Sequence, residues 1–354
     1  MLRRIPLHPF EWITIAVLTI AVGGLRVLGL PITAVSVQET VVNMGRVLPA
    51  ALGLGLALQG YYQWSEKRPL APYVRAVRSR ESILLWLRLW LACWLISFAY
   101  FWVKVYVPLL HEGTFDSALW RIDRIVHLGF SPSEVAIGLL SGTPLVGWLD
   151  TWYSVWLASI IWSLAFYAAS EDLLLRRRVI LSCVLLWIAG ATGYLLLPAL
   201  GPVFVFEETW AGVRGSLPLA EQAQELLITN YQAVVASGAG RTAAFDHRLG
   251  VGALPSLHVG FHVLFALWAW QHARVVRVVF VVMSVLTFAG SLLTGWHYAV
   301  DGYLGGALAV ACYWAARWLE RDPDPDTALP DDLPNEREEK PRSDFERFPA
   351  SIQE

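Results

Sequence analysis

The sequence predicts an all-α integral membrane protein with about eight transmembrane helices. Three observations predict it. Of 354 residues, 56% are hydrophobic and only 16% are charged, against about 25% charged in a soluble domain. Mean hydropathy is +0.49. The apolar residues come in runs of about 20, the length that spans a bilayer's hydrocarbon core. These features exclude a disordered chain, a disulfide-rich secreted module and an ordinary soluble enzyme. The 18 Trp and 12 Tyr suit rings placed at membrane interfaces.

The spans fall at roughly 10–30, 41–63, 83–107, 148–169, 179–198, 257–272, 275–295 and 299–318. Arg3 and Arg4 precede the first, and no A-x-A cleavage site follows it, so a retained anchor is expected. Gly53, Gly55 and Gly60 in the second suggest close helix packing. Basic residues crowd three connections: Lys67, Arg68, Arg75, Arg78 and Arg80 in 65–82, Arg176, Arg177 and Arg178 in 170–178, and Arg274 and Arg277 in 272–278. With eight spans, all three fall on the side of both termini, which positive charge marks as cytoplasmic. Arg26, Arg46 and Arg88, near span ends, are expected to snorkel; for Arg46 a pairing with Glu39 is the alternative. Cys93, Cys183 and Cys312 each lie inside an apolar run with no C-x-x-C pair, so they are expected to be small buried residues.

Residues 1–82 form a two-span hairpin with its basic loop, and 83–319 a six-span unit. Residues 320–354 hold twelve acidic and five basic side chains with six prolines, a composition that predicts a disordered tail. The other 319 residues therefore carry +5 of the net charge of −2. Nothing suggests nucleic-acid binding.

The opposite, extracytoplasmic side receives the long connections 109–147 and 199–255. The first has Phe115, Leu119, Ile122 and Val126 at helical spacing, with Asp116, Asp123, Arg124 and His127 elsewhere. That pattern predicts a helix lying in the interface. The second has Leu219, Ala223, Leu226, Leu227, Tyr231 and Val234, a second amphipathic stretch. Long connections in compact folds are often lids or binding elements.

Two segments carry chemistry. One is Gly252-Ala253-Leu254-Pro255-Ser256-Leu257-His258-Val259. The other runs from Ser291 through Gly295-Trp296-His297-Tyr298 to Asp301. His258 opens span six and His297 opens span eight, so both stand at one depth on the extracytoplasmic side. His297 and Asp301 are i and i+4, and a shared helix face is expected. A carboxylate there fixes the tautomer of one imidazole and stabilises positive charge on it. A second histidine can protonate a leaving group. Together they suffice for covalent transfer of a phosphoryl group.

These segments resemble the second and third signature motifs of the type 2 phosphatidic acid phosphatase superfamily, P-S-[GL]-H and S-R-x-x-x-x-x-H-x-x-x-D. Pro255-Ser256-Leu257-His258 matches the first with Leu in third place; Ser291, Gly295, His297, Tyr298 and Asp301 match the second. The Leu variant, the W-H-Y-x-x-D wording and Pro198-Ala199-Leu200-Gly201-Pro202 are similar to the branch containing fungal inositol phosphorylceramide synthase. The resemblance covers roughly 110–318. It implies a six-helix phosphatidic acid phosphatase type 2/haloperoxidase-like core in the catalytic domain 83–319. It also implies His297 as the nucleophile that forms a phosphohistidine, Asp301 as its orienting acid, and His258 as the general acid. Ser256 and Tyr298 would contribute to substrate and phosphate binding.

The sequence departs from the family twice. The basic first signature, K-x-x-x-x-x-x-R-P, is not found, and Leu292 stands where the third has Arg. Those cations stabilise charge on phosphate oxygens. Arg241, Arg248, His247, Arg121, Arg124 and Lys104 are candidates to replace them. Arg241 and Arg248 are preferred because they just precede the Pro-Ser-Leu-His segment. His262 makes an H-x-x-x-H pair with His258 that imitates a zinc site, but no general-base Glu accompanies it, so no metal and no cofactor are expected.

The expected function is lipid phosphotransferase or phosphatase, acting on a phospholipid or lipid phosphate at the extracytoplasmic face. The partners are that lipid and, for a transferase, a lipid hydroxyl acceptor. A transporter or scaffold using the same bundle is the alternative, with His297 and Asp301 as a proton relay. Haloperoxidase-like oxidation with vanadate shares the histidines but lacks its basic residues here. Arginine outnumbers lysine 24 to 3, which points to a GC-rich genome and a bacterial plasma membrane.

Overall fold

Each of the eight apolar stretches folds as helix, and no strand occurs among the described residues. The structure, a computed structural model, describes residues 6–32, 34–238, 245–246 and 248–321, with the backbone alone over 34–46 and at 48. Helix α1 (Pro9–Val27) starts with Pro at its first turn and a capping box in which Glu11 accepts the His8 amide at 2.8 Å. Helix α2 (Ala34–Ser65) and the short α3 (Leu70–Val77) follow. Helix α4 (Arg80–Leu110) is capped by Ser79, whose side chain accepts from the Ser82 amide. Arg88 does not snorkel: it binds Glu11, through Nε at 2.7 Å, and ties α4 to α1. Arg26 is exposed. The side chains of Glu39 and Arg46 lie outside the described residues. Of the three glycines in α2 only Gly55 makes a close approach, because a Cβ there would overlap the Ala165 carbonyl; Gly53 and Gly60 have nothing within 4 Å.

The connection 109–147 contains α5 (Asp116–Val126), α6 (Pro132–Leu140) and the start of α7 (Leu145–Ser154). The stretch 148–169 is not one helix. It breaks at Val155 (φ −93°, ψ 13°) into α7 and α8 (Trp156–Ala168). The reason lies in the packing: α7 lies on α13 and α8 on α2, so the halves serve different neighbours. Helix α9 (Leu173–Leu196) begins at its Asp172 cap, so Arg176–Arg178 belong to its first turns rather than to a loop. Arg176 is buried and donates to Ser82 Oγ at 2.7 Å and to the Ser170 carbonyl. After α10 (Pro202–Val205) and two short 3-10 turns come α11 (Pro218–Ser237), α12 (Leu257–Ala269), α13 (Arg274–Leu293) and α14 (Ala299–Leu319).

Helix α9 is the centre, packed by α4, α12 and α14. Its Val179, Leu181, Val184 and Leu186 are wholly buried, and Ser182 accepts the Trp268 indole N–H at 3.0 Å. All three cysteines are free and buried, as expected. Four helices, α1, α4, α9 and α13, are long and apolar enough to cross a membrane; α8 and α12 are apolar but have 13 residues each. Residues 322–354, most of the acidic tail, lie outside the described residues.

Candidate active site

The N-termini of α12 and α14 lie side by side. The Ser256 amide donates to the Asp301 carbonyl at 3.0 Å. A Cβ on Gly305 would press on the Ser256 carbonyl, so only glycine lets the two helices approach this closely. His258 stands in the first turn of α12. His297 stands in a tight turn ahead of α14, where Gly295 has φ +74° and its Cβ position lies 2.6 Å from Trp210 Cε2. Only glycine fits there without strain.

The expected i,i+4 pairing on one helix face is therefore corrected. His297 precedes the helix, whose N-cap is Tyr298 and whose third residue is Asp301. The cap brings them together instead. Asp301 Oδ2 accepts the Tyr298 amide at 2.9 Å and lies 3.5 Å from His297 Nδ1. Asp301 is fully buried, and its Oδ1 has no hydrogen-bond partner among the described residues. His297 Nδ1 lies 2.8 Å from the Ala253 carbonyl oxygen. A carbonyl can only accept, so Nδ1 carries the proton, and in the neutral ring Nε2 keeps its lone pair. That lone pair faces His258 Nδ1 at 2.9 Å, which accordingly donates. Trp156 and Tyr153 pack their rings on His258, with centroids 4.0 and 5.1 Å away.

Two buried carboxylates brace this turn, and a third caps α11. Asp116 accepts the Leu200 and Gly201 amides at 2.9 Å each and the Tyr298 hydroxyl at 2.8 Å. Asp123 accepts the first two amides of α14, Ala299 at 3.0 Å and Val300 at 2.9 Å. Asp150 does the same for α11, through Leu219 and Ala220. A carboxylate at a helix N-terminus satisfies orphan donors and complements the macrodipole. Burial pushes the Asp123 carboxyl above its usual range, against the pull of the two amides. Helix α5 thus turns two carboxylates inward. Asp116, Leu119 and Asp123 are its buried face, while Phe115, Ile122 and Val126 are exposed. Two further bonds hold the turn: Trp210 Nε1 donates to the Leu293 carbonyl at 2.9 Å, and Gln224 Nε2 to the Thr294 carbonyl at 2.7 Å.

A cavity of about 840 Å³ opens at the histidine pair. His258, His297, Lys104, Arg248 and Trp296 line it, and aromatic and aliphatic side chains form most of the rest. The stripe Leu219, Ala223, Leu226 and Leu227 of α11 faces this cavity.

The sequence-nominated cations are dispersed. Arg248 lines the cavity, but its guanidinium binds Asp246, Nη2 to Oδ2 at 2.6 Å. Arg241 and His247 lie outside the described residues. Arg124 pairs with Glu134 at 2.7 Å, Arg121 is exposed, and neither lines the cavity. Lys104, ranked lower in the sequence, lines the histidines' cavity as Arg248 does. Its ammonium sits 5.0 Å from the Tyr194 ring centroid and 5.6 Å from that of Tyr100, and no ion pair engages it among the described residues. Gly250 and Gly252 pack directly on its stem. Tyr153, which no sequence signal nominated, also lines the cavity, and its buried hydroxyl has no hydrogen-bond partner among the described residues.

Ser256 and Tyr298 are placed differently from the expected binding role. Ser256 is fully buried and caps α12, accepting from the Val259 amide at 3.4 Å. The Tyr298 hydroxyl is committed to Asp116. Neither lines the cavity. His262 is buried one turn deeper, with Nδ1 donating to the His258 carbonyl at 2.7 Å and Nε2 2.8 Å from Ser159 Oγ. Both its nitrogens are occupied within the fold. Among the described residues no cluster of three His, Cys, Asp or Glu is placed to hold a metal ion.

The family model described as PAP2 superfamily matches residues 117–315, more than half of the chain. The chain belongs to the PAP2 superfamily. No curated protein and no solved structure matches it. Members of the PAP2 superfamily are generally phosphatases or phosphotransferases, and membership suggests that activity on lipid phosphates. The matched segment contains both histidines, Asp301, Asp123 and Asp150, and Asp116 lies one residue before it.

Proposed function

We propose that this chain transfers the phosphoryl group of a membrane lipid through a phosphohistidine at His297. The observation that carries the reading is the tautomer imposed by Ala253. It leaves His297 Nε2 with its lone pair toward the cavity and the His258 Nδ1 proton beside it. The substrate's phosphoryl group replaces the direct contact between the two rings. Nε2 attacks phosphorus, the bond from phosphorus to the lipid oxygen breaks, and His258 gives its proton to that oxygen. Asp301 stabilises the cationic ring. Lys104 and the Tyr153 hydroxyl attract the phosphoryl oxygens, where the family's usual cations are missing. An acceptor hydroxyl then attacks the phosphohistidine, His258 takes its proton, and His297 is restored. Water as acceptor makes a phosphatase. A lipid hydroxyl makes a transferase, the reaction favoured by the likeness to the inositol phosphorylceramide synthase branch. Every step runs through side chains, so no metal ion is required.

The same reading sets eight crossings, with α1 and α2 appended to a six-span catalytic unit and the site on the extracytoplasmic side. Its support is the distribution of charge. Arg75, Arg78, Arg80, Arg274 and Arg277 stand at the helix ends remote from His258, and positive residues favour the cytoplasm.

The experiment is product analysis with purified protein in mixed micelles containing a chelator. The substrates are phosphatidic acid, a polyprenyl diphosphate, and phosphatidylinositol with ceramide. Free phosphate, or a new phospholipid without it, is expected from wild type and absent from His297→Ala. Turnover that survives His297→Ala would remove the mechanism. Movement of a lipid or a proton with no phosphoester cleaved would favour the transporter reading.

A further inference from the structure

We infer that the protein draws the hydrocarbon chain of its phosphate-bearing substrate into its own bundle, in a slot that starts at the histidine pair and is walled at its far end by α2. This rests on the proposed phosphoryl chemistry for the head of the ligand, but the slot itself is read from packing alone.

The cavity has a polar end and an apolar remainder. Lys104, His258 and His297 mark the polar end. From Lys104 the lining follows one face of α4 inward through Tyr100, Ser97 and Cys93 to Trp90. Those fifteen residues of helix are about 20 Å long, against the ~15 Å of hydrocarbon in one leaflet. Along this length Ser97 is the one hydroxyl that α4 contributes beyond Tyr100, and the facing walls are Ile160 and Leu164 of α8 and Phe265 of α12. A groove open to lipid would need no such wall, and α2 supplies one. Val47 lines the cavity, and Ala51 is buried against the cluster that holds Trp86 and Trp90. Helix α2 is pinned there by Gly55 against α8 and by Gln59, which donates to the Phe166 carbonyl at 2.9 Å.

Such a slot must be filled. Apolar walls left facing water are unfavourable in proportion to their area. Water is a poor occupant, because buried water needs two to four polar partners and the deep lining offers few. A ligand with an anionic head and a chain of about leaflet length satisfies both ends at once. Phosphoesters without a hydrocarbon chain leave most of the slot empty and are expected to bind poorly.

The test uses three monoalkyl phosphates, butyl, decyl and hexadecyl, each with a photoreactive diazirine at the chain terminus. They are irradiated with full-length His297→Ala protein in mixed micelles, and the adducts are mapped. Phosphate release from the same probes by wild-type protein is measured in parallel. The expected result is a shift of the adduct inward as the chain lengthens, from residues around Lys104 and His258 to those around Trp90, Cys93 and Leu164. In Ser97→Trp, which blocks the slot midway, the deep adducts should disappear and the shallow ones remain. Adducts confined to lipid-facing residues such as Trp314 and Trp318 overturn the inference. So do deep adducts that persist in Ser97→Trp. Deep adducts without any phosphate release would keep the slot and remove the proposed chemistry. Release with only lipid-facing adducts would do the reverse.

Discussion

Asp123→Asn separates a carboxylate that braces the histidine turn from one that merely sits in a polar connection. Both Asp123 oxygens accept amides at the start of α14, and the side chain is 1% exposed. Asparagine keeps the shape but has one acceptor oxygen, so its NH₂ meets the second amide. One hydrogen bond to a charged group is lost, at about 1.5–3 kcal/mol, and a buried donor goes unpaired, at about 1–3 kcal/mol. These overlap, and burial already raises this carboxyl's pKa, so a net loss of about 2–4 kcal/mol is expected. The matched control is Glu134→Gln. Its pair with Arg124 has side chains 41% and 43% exposed, a class that contributes at most about 1 kcal/mol. Thermal unfolding in detergent should place Asp123→Asn roughly 5–15 °C below wild type and Glu134→Gln near wild type. Turnover should diverge too. A shift of the α14 cap carries His297 with it, and about 1 Å of misplacement can lower the rate about a hundredfold. If Asp123→Asn melts and turns over like Glu134→Gln, the carboxylate frame does not position the site.

Lys104→Met should raise KM for a lipid phosphate about tenfold or more, since one charge-assisted contact contributes about 1.5–3 kcal/mol, and Lys104→Arg should recover part of it. An unchanged KM would return the role to Arg241 or Arg248. Tyr153→Phe should lower kcat with little change in unfolding temperature, because its hydroxyl has no partner to lose among the described residues; a stability loss without a rate loss would contradict this. Gly295→Ala combines a positive φ with a Cβ 2.6 Å from Trp210, so it should destabilise clearly and displace His297. Gly23→Ala, where a Cβ meets nothing within 4 Å, should not, and equal behaviour of the two would refute the tight turn.

Much of the architecture could be read from the residues. Apolar runs located α1, α2, α4, α9, α13 and α14, because a run of that length has no other way to satisfy its backbone in lipid. His258 and His297 met as expected, because both motifs begin a helix at one end of the bundle. What local pattern could not show was partnership over distance. Asp116 and Asp123 looked like the wet face of an amphipathic helix, since their neighbours in sequence are charged and apolar in the usual alternation. Their partners lie 84 to 182 residues away, beyond any periodicity. The helix spacing of His297 and Asp301 suggested a shared face, but the turn at Gly295 ends before the helix starts. Lys104 did carry a signal, a lone lysine within an apolar span, which was outweighed by the nearness of Arg241 and Arg248 to the motif in sequence. Tyr153 carried none.

The bracing of the histidine turn also sets when the protein becomes competent. Asp123 is made 176 residues before the amide it holds at Ala299. At about 5–20 residues per second of synthesis, it waits roughly 10–35 s for that partner. Asp116 waits as long for Tyr298. During that interval water can solvate these side chains, and it tolerates a carboxylate where an apolar brace would invite misassociation. Every nascent chain short of its last helix lacks Asp301 and the Ala299 and Val300 amides that Asp123 holds. Ribosomal progress therefore acts as a safety catch, because the histidine turn is braced only once the last helix has begun.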